Sequence, residues 1–188
     1  MILLVGASAS GKTALSLLLR KEYALSKAIT HTTRSPRQGE RDGIDYFFVT
    51  EEEFVVLQKN DGFVETTLYN GHHYGSSKSQ VEDDKVLVVD PNGLSAYKRL
   101  HNPSVVAFFL DTSEETRKAR MIERKDKPED IEKRLENDRK VFAQKEVSEC
   151  DYLIINDGRD LKSIADEVYS KYIETLKDRG IKPNLLIQ

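Results

Sequence analysis

Residues 6–13 read Gly6-Ala7-Ser8-Ala9-Ser10-Gly11-Lys12-Thr13, and each fixed position of this G-x-x-x-x-G-K-[ST] pattern has a physical task. The glycines let the backbone curl so that successive N–H groups converge on phosphate oxygens. Lys12 brings a mobile positive charge to the outer phosphates of a nucleotide, and the Thr13 hydroxyl is a ligand for Mg²⁺. The flanks fit this chemistry. Met1–Val5 is an apolar run that reads as a buried strand, and Lys12–Tyr23 reads as a helix starting at the loop. That order sets a helix N-terminus, with its partial positive charge, beneath the phosphates.

A second constellation follows. Thr30-His31-Thr32-Thr33-Arg34-Ser35-Pro36-Arg37 places two arginines three residues apart on a loop stiffened by Pro36. Forked guanidinium groups grip a dianionic phosphate through paired hydrogen bonds, which lysine cannot match. Tyr46 and Tyr74 offer phenol groups to the same phosphate.

These residues need a scaffold, and hydrophobic periodicity supplies one. Strand-like runs recur at Ile2–Val5, Lys27–His31, Val86–Asp90, Val105–Leu110 and Tyr152–Asn156. Helical patterns follow the phosphate loop and cover Gly93–Leu100, Ser113–Arg124 and Leu161–Leu176. Alternating strands and helices predict an α/β fold whose parallel sheet is covered on both faces. Two stretches break the rhythm. Residues 34–84 are polar and turn-rich, with short strands at Tyr46–Val49 and Phe63–Tyr69 and a helix announced by the capping box Thr50-Glu51-Glu52-Glu53. The segment Arg124-Lys125-Asp126-Lys127-Pro128 is a charged gap between helices, with Pro128 placed to open the second. Both read as inserts on the catalytic edge of the sheet.

The chain has 188 residues, enough for one α/β domain with a real core. A net charge of −3 provides no field to draw it to nucleic acid or a membrane. No apolar run reaches the roughly 18 residues of a membrane span, and Met1 leads into the first strand without a signal peptide. The single cysteine, Cys150, cannot form an internal disulfide, so a reducing cytoplasm is expected. It reads as a small half-buried residue beside a strand, and His72 and His73 as exposed hairpin residues without a metal.

The arrangement resembles the guanylate kinase family. The match runs from the phosphate loop through Arg34, Arg37, Gly39, Glu40, Gly43, Asp45 and Tyr46 to Phe63 and Glu65. It continues through Tyr74-Gly75-Ser76, Asp90, Arg134-Leu135 and Ile155-Asn156-Asp157, nearly the whole chain to about residue 176. The resemblance implies the reaction ATP + GMP → ADP + GDP, with dGMP as a further acceptor and Mg²⁺ as cofactor. It implies a phosphate-loop, three-layer core of residues 1–33, 85–123 and 147–188, a mixed α/β GMP-binding insert over 34–84 and a short helical lid over 124–146. By the same resemblance Thr30, Arg34, Arg37, Tyr46, Glu65, Tyr74, Ser76 and Asp90 bind GMP. Asn156 and Asp157 lie near the adenine of ATP, and Lys12, Arg34, Arg124 and Arg134 act on the transferring group. Thr13 is the expected Mg²⁺ ligand, with Asp90 as a second candidate. A monomer or small homo-oligomer is expected, with nucleotides as the partners. The sequence departs from the family pattern at Ala9, where glycine is usual, at Thr66, where tryptophan is common, and at Val88, where an aspartate is usual. It also lacks the family's Gly-Thr pair in the lid. These departures keep two alternatives in view, a kinase for another acceptor and a non-catalytic binding module. The intact Lys12 and Thr13 favour a working enzyme.

Overall fold

A computed structural model describes residues 1–142 and 149–182. The end of the expected lid, the first residues of the last core segment and the end of the C-terminal tail lie outside these described residues.

Ile2–Val5 (β1) is the centre of the molecule. All of its residues are buried, the pattern of a strand covered on both faces. Strand alternation sends Ile2 and Leu4 to one side and Met1, Leu3 and Val5 to the other. The first set packs with Leu15 and Leu19 of α1 (Lys12–Glu22) and with Ile164, Val168 and Tyr172 of α6 (Leu161–Asp178). The second set packs with Leu94 and Tyr97 of α3 (Pro91–Arg99). Two helical layers thus enclose one sheet.

That sheet contains Ser26–Lys27 (β2), Lys85–Val88 (β7), β1, Val106–Asp111 (β8) and Tyr152–Ile155 (β9), in the spatial order β2-β7-β1-β8-β9. Every pairing is parallel. The chain crosses to opposite sides of β1 with β7 and β8, so the crevice at the C-terminal end of β1 is the topological switch point where such sheets bind ligands.

A second sheet, ordered β4-β3-β6-β5, is built from His31–Thr32 (β3), Phe47–Phe48 (β4), Phe63–Tyr69 (β5) and His72–Ser77 (β6). The strand expected over Lys27–His31 is therefore two. Ser26–Lys27 pairs with β7 and His31–Thr32 with β4 and β6, so the chain leaves one sheet and enters the other within a few residues. The β5–β6 hairpin turns at Asn70 (φ 49°) and Gly71 (φ 77°), the left-handed pair that matches strand twist.

Helix α2 (Glu51–Lys59) carries the expected capping box. The Thr50 hydroxyl accepts from the Glu53 N–H at 3.1 Å, and the Glu53 carboxylate accepts from the Thr50 N–H at 2.8 Å. Its one buried side chain, Phe54, stacks on Phe63 (4.5 Å) and on His73 (5.1 Å). His73 is thus half-buried rather than a free hairpin residue, with Nε2 3.5 Å from the Glu51 carboxylate. Among the described residues no group of three or more His, Cys, Asp or Glu side chains is placed to hold a metal ion. Cys150 is half-buried as expected, and burial pushes its thiol up to about 12.

Helices α4 (Glu114–Glu123) and α5 (Pro128–Val141) form an antiparallel pair, with Pro128 at the first turn of α5. Lys118–Glu132 at 2.6 Å and the bidentate Arg139–Glu114 pair lace their outer faces.

The second sheet depends on α2 to cover its aromatic face. Thr50→Ala removes the helix cap, and the expected loss is about 1 kcal/mol. Thermal unfolding should show this as a fall of about 2–4 °C in Tm, with the far-UV spectrum unchanged.

Candidate active site

The phosphate loop curls between β1 and α1 with Gly6 at φ 149°, Ala9 at φ 59° and Gly11 at φ 99°. A Cβ on Gly6 would lie 2.8 Å from the Leu110 carbonyl oxygen, and one on Gly11 would lie 2.8 Å from Asn156 Nδ2. Both glycines are therefore demanded by close approach as well as by φ. Ala9 holds a left-handed conformation that disfavours an L residue, which explains why glycine suits this position better. Its methyl packs against Met121, Ile131 and Leu135, where the α4–α5 pair rests on the loop.

The carbonyls of Gly6, Ala7, Ala9 and Ser10 are occupied. Lys12 Nζ donates to the carbonyls of Gly6 (2.6 Å) and Ala7 (2.8 Å). Arg120 donates to Ala9 (3.2 Å), and Asn156 Nδ2 (2.5 Å) and the Thr112 hydroxyl (3.2 Å) both donate to Ser10. The first N–H groups of α1 have no partner within the helix, so the loop offers donors toward the cleft. Burial pushes the Lys12 ammonium down to about 8, with Arg117 adding to the shift and Asp138 opposing it.

Two clefts meet beside this loop. One, of about 600 Å³, is walled by Gly6, Ser8, Lys12, Asp90, Asn92 and Asp138. The other, of about 490 Å³, holds Thr30, Glu65, Thr66, Val88, Asp90 and Asn92. Asp90, Asn92 and Val88 line both, at the C-terminal end of β7. Asp90 is the N-cap of α3: its Oδ1 accepts from the Gly93 N–H at 2.8 Å, which fixes the carboxylate at the junction. A smaller cleft of about 240 Å³ runs past Lys12, Thr13, Arg120 and Arg124.

Glu65 is half-buried and accepts from the Ser76 hydroxyl at 2.9 Å. Burial raises its pKa above the ordinary carboxylate value. The Asp90 charge adds to the rise, and the Ser76 hydrogen bond offsets part of it. The Tyr97 hydroxyl lies buried behind this pair, and burial pushes the phenol up to about 12, with the Ser76 hydroxyl opposing the rise.

Arg34, Arg37, Tyr46 and Tyr74 gather in a second cluster around Glu40. Arg34 donates to Glu40 (2.9 Å) and to the Ser35 carbonyl (2.7 Å), and its guanidinium lies over Tyr46 (5.5 Å) and Phe48 (5.8 Å). Tyr46 and Tyr74 meet edge to face at 6.1 Å. The Arg37 N–H donates to the other Glu40 oxygen at 2.7 Å. Lys27, absent from the sequence reading, places Nζ 5.1 Å from the Tyr46 ring centre.

Arg124 and Arg134 are joined by one carboxylate, Asp126: Arg124 pairs with it bidentately and Arg134 approaches at 3.4 Å. Of the two, Arg124 faces the phosphate loop. Asn156 and Asp157, expected near the adenine, lie at the end of β9 beside the phosphate loop. Asn156 is buried at 2% exposure and its amide supports the loop, while Asp157 accepts from the Ser113 N–H (2.9 Å) and hydroxyl (3.2 Å). Sequence reasoning also missed Arg117, Arg120 and Asp138. Arg117, Arg120 and Arg124 recur at i, i+3 and i+7, a spacing that puts them on one face of α4 and could have revealed them.

A curled loop opening a helix at the switch point of a parallel sheet, with clefts on both sides and a cation-bearing helical pair above, defines a phosphate-loop kinase fold. Solved structures carry the same fold. A gluconokinase from Sinorhizobium meliloti aligns with a TM-score of 0.55 at 14% identity over 95% of this chain and 94% of its own. Guanylate kinase from Anaplasma phagocytophilum aligns with a TM-score of 0.63 at 27% identity, covering 92% of this chain and 85% of its own. Curated relatives include the guanylate kinase of Polaromonas sp., 37% identical over 80% of this chain and 76% of that protein. The Thermus thermophilus guanylate kinase is 36% identical over 84% and 74% of the respective chains. The family profile described as guanylate kinase matches residues 1–174. The chain belongs to the guanylate kinase family.

Gly11→Ala tests the geometry of the loop. Strain at φ 99° and the contact with Asn156 should displace the start of α1. Calorimetry should show ATP affinity falling by roughly tenfold or more while GMP affinity is unchanged.

Proposed function

We infer that this protein catalyses transfer of the γ-phosphoryl group of ATP to GMP. The observation that carries the reading is Glu65, a half-buried carboxylate held by a hydroxyl in a cleft that joins the phosphate-loop cleft at Asp90. Guanine presents N1–H and an exocyclic amino group side by side, and one carboxylate can accept from both. Adenine has no such donor pair, and its binding would leave the Glu65 charge with only the Ser76 hydroxyl as a donor. Thr30 supplies a hydroxyl for the other edge of the base, and Ser76 can donate there once guanine replaces it as the donor to Glu65. Arg34, Arg37, Tyr46 and Tyr74 would hold the GMP phosphate once residues 34–84 swing onto the core. We assign dGMP as a further acceptor on the resemblance to the family.

The reaction needs no general base. A phosphate oxygen of GMP, already negative, attacks the γ-phosphorus as the bond to the ADP oxygen breaks, so catalysis consists of alignment and neutralisation of charge. The loop N–H groups and Lys12 hold the donor phosphates, and Arg124 and Arg134 approach the transferring group from the lid, residues 124–146. The core, the insert over 34–84 and the lid act as three parts whose closure excludes water and limits ATP hydrolysis. Mg²⁺ fits this site in the way it usually binds, through few protein ligands and several phosphate and water oxygens. Thr13 would hold it, with Asp90 at the junction, and the ion would supply positive charge to the β- and γ-phosphates. Among the described residues no helix is long and apolar enough to cross a membrane. We place the enzyme in the cytoplasm, as a monomer or small homo-oligomer acting on free nucleotides.

The direct test is ADP formation from ATP and Mg²⁺ with GMP, dGMP, AMP, UMP or CMP. Turnover should be confined to the guanine nucleotides and lost in Lys12→Ala. Folded protein inactive with every acceptor would sink the reading.

The Glu65 assignment has its own pH signature. The carboxylate accepts guanine donors only when ionised, and its pKa is raised. Affinity for GMP should therefore be complete above that raised pKa and fall as pH drops through it, at a higher pH than an ordinary glutamate would cause. The KM for GMP measured against pH should show this limb in the wild type. Glu65→Gln should bind GMP weakly at all pH values and lack the limb, leaving only the titration of the GMP phosphate itself.

A further inference from the structure

Helix α5 turns Ile131, Leu135 and Asp138 to one side, at i, i+4 and i+7, and all three are buried. The first two close with Met121 over Ala9 of the phosphate loop. Asp138 meets the preceding loop residue. Its Oδ2 accepts from the Ser8 N–H at 2.9 Å, and its Oδ1 accepts from the Ser8 hydroxyl at 3.1 Å. Arg117 of α4 donates to the same Oδ2 at 2.8 Å, and its Nε donates to the Thr112 carbonyl at 3.2 Å. The pair is shielded from water, with Arg117 at 6% and Asp138 at 5% exposure.

Packing alone does not call for charge here. Desolvating two ions is costly, and apolar residues of similar volume often serve a core as well or better. An apolar side chain could not accept the Ser8 N–H, however. That N–H sits at the apex of the loop, between Gly6 and Ala9, and its partner fixes the curl that aims the following donors. The first N–H groups of α1 are left open to phosphate, so the carboxylate and a nucleotide do not compete for the same donors.

We propose that Asp138 is a positioning residue for phosphoryl transfer: through Ser8 it sets the shape of the phosphate loop and ties that shape to the docking of α5, with Arg117 as its counter-ion. The proposal rests on the loop being the ATP site. Lifting α5 away would leave the Ser8 N–H and the Arg117 guanidinium without this partner, so loop geometry and lid docking become one event.

The test uses the full chain. Arg117→Met/Asp138→Leu removes both charges and retains apolar volume, and Asp138→Asn keeps an acceptor for Ser8. The double variant should melt within about 3 °C of the wild type and bind GMP alone with unchanged affinity. Its ATP affinity and kcat should each fall roughly tenfold, the scale on which misaligned reactants lose rate. Amide exchange at Ser8 should become fast. Asp138→Asn should recover part of the lost kcat even where the unpaired Arg117 lowers Tm. Wild-type kcat and ATP affinity in the double variant would reduce the pair to a structural one and overturn the proposal. Faster turnover or tighter ATP would overturn it too, by making the contact inhibitory. If the double variant fails to fold, the same kinetic comparison on Asp138→Ala, which removes the acceptor for Ser8, decides, with an unchanged kcat and ATP affinity counting against the proposal. A wild-type chain that does not turn over GMP would defeat the activity reading, while ATP affinity and Ser8 exchange would still decide the role of Asp138.

Discussion

The curl of residues 6–13 turns donors toward one side of the backbone, and its carbonyls must then find partners on the other. The structure meets this requirement from four directions. Lys12 reaches back to Gly6 and Ala7, Arg120 comes from α4 to Ala9, and Thr112 and Asn156 come from the ends of β8 and β9 to Ser10. An unpaired buried carbonyl would be costly, and an unsupported loop would relax toward a turn that pairs its own N–H groups. The loop therefore depends on the sheet order: β8 and β9 lie on the side of β1 from which Thr112 and Asn156 can reach it. Much of what surrounds the loop can be understood as satisfying acceptors so that donors stay free.

This explains which parts of the site were legible in the sequence. Gly6, Gly11, Lys12 and Thr13 are constrained by local geometry, so their types and spacing announce them. The capping box at Thr50 and the proline opening α5 are local in the same sense, and β1 and β5 fall where the apolar runs place them. The break between Ser26–Lys27 and His31–Thr32 is not local. Each half is a plausible strand, and only the identity of its partner tells the two sheets apart. Asn156 and Asp157 are marked in the sequence by their match to the family pattern, and the structure adds that one reaches a loop carbonyl and the other Ser113.

Asp138 was the least legible residue. In the run Pro128–Val141 charges fall on every face, so the ordinary expectation for any one of them is a solvated helix surface. Only docking selects it. The apolar contacts of Ile131 and Leu135 on Ala9 set the rotation of α5, and that rotation carries Asp138 onto Ser8 rather than into water. A residue that becomes important through the register of a helix against a loop leaves no mark in composition or spacing.

The remaining cations follow a common electrostatic design. Arg34 rests on Glu40, and Arg124 and Arg134 share Asp126. Arg34 is already neutralised by a carboxylate near the surface, where such a pair is worth little, while Arg124 and Arg134 have a single carboxylate between them. A substrate phosphate arriving at one of these arginines replaces one anion with another, so binding does not first have to assemble the cation. Glu65 reverses the pattern. It is more buried than Glu40 or Asp126 and is held by a hydroxyl instead of a guanidinium, so its charge is the least compensated of the three. A carboxylate left in that condition favours a ligand with closely spaced N–H donors, and the edge of guanine supplies them. The phosphate-binding side of the insert is thus built from satisfied ions, and the base-binding side from one that the substrate itself must satisfy.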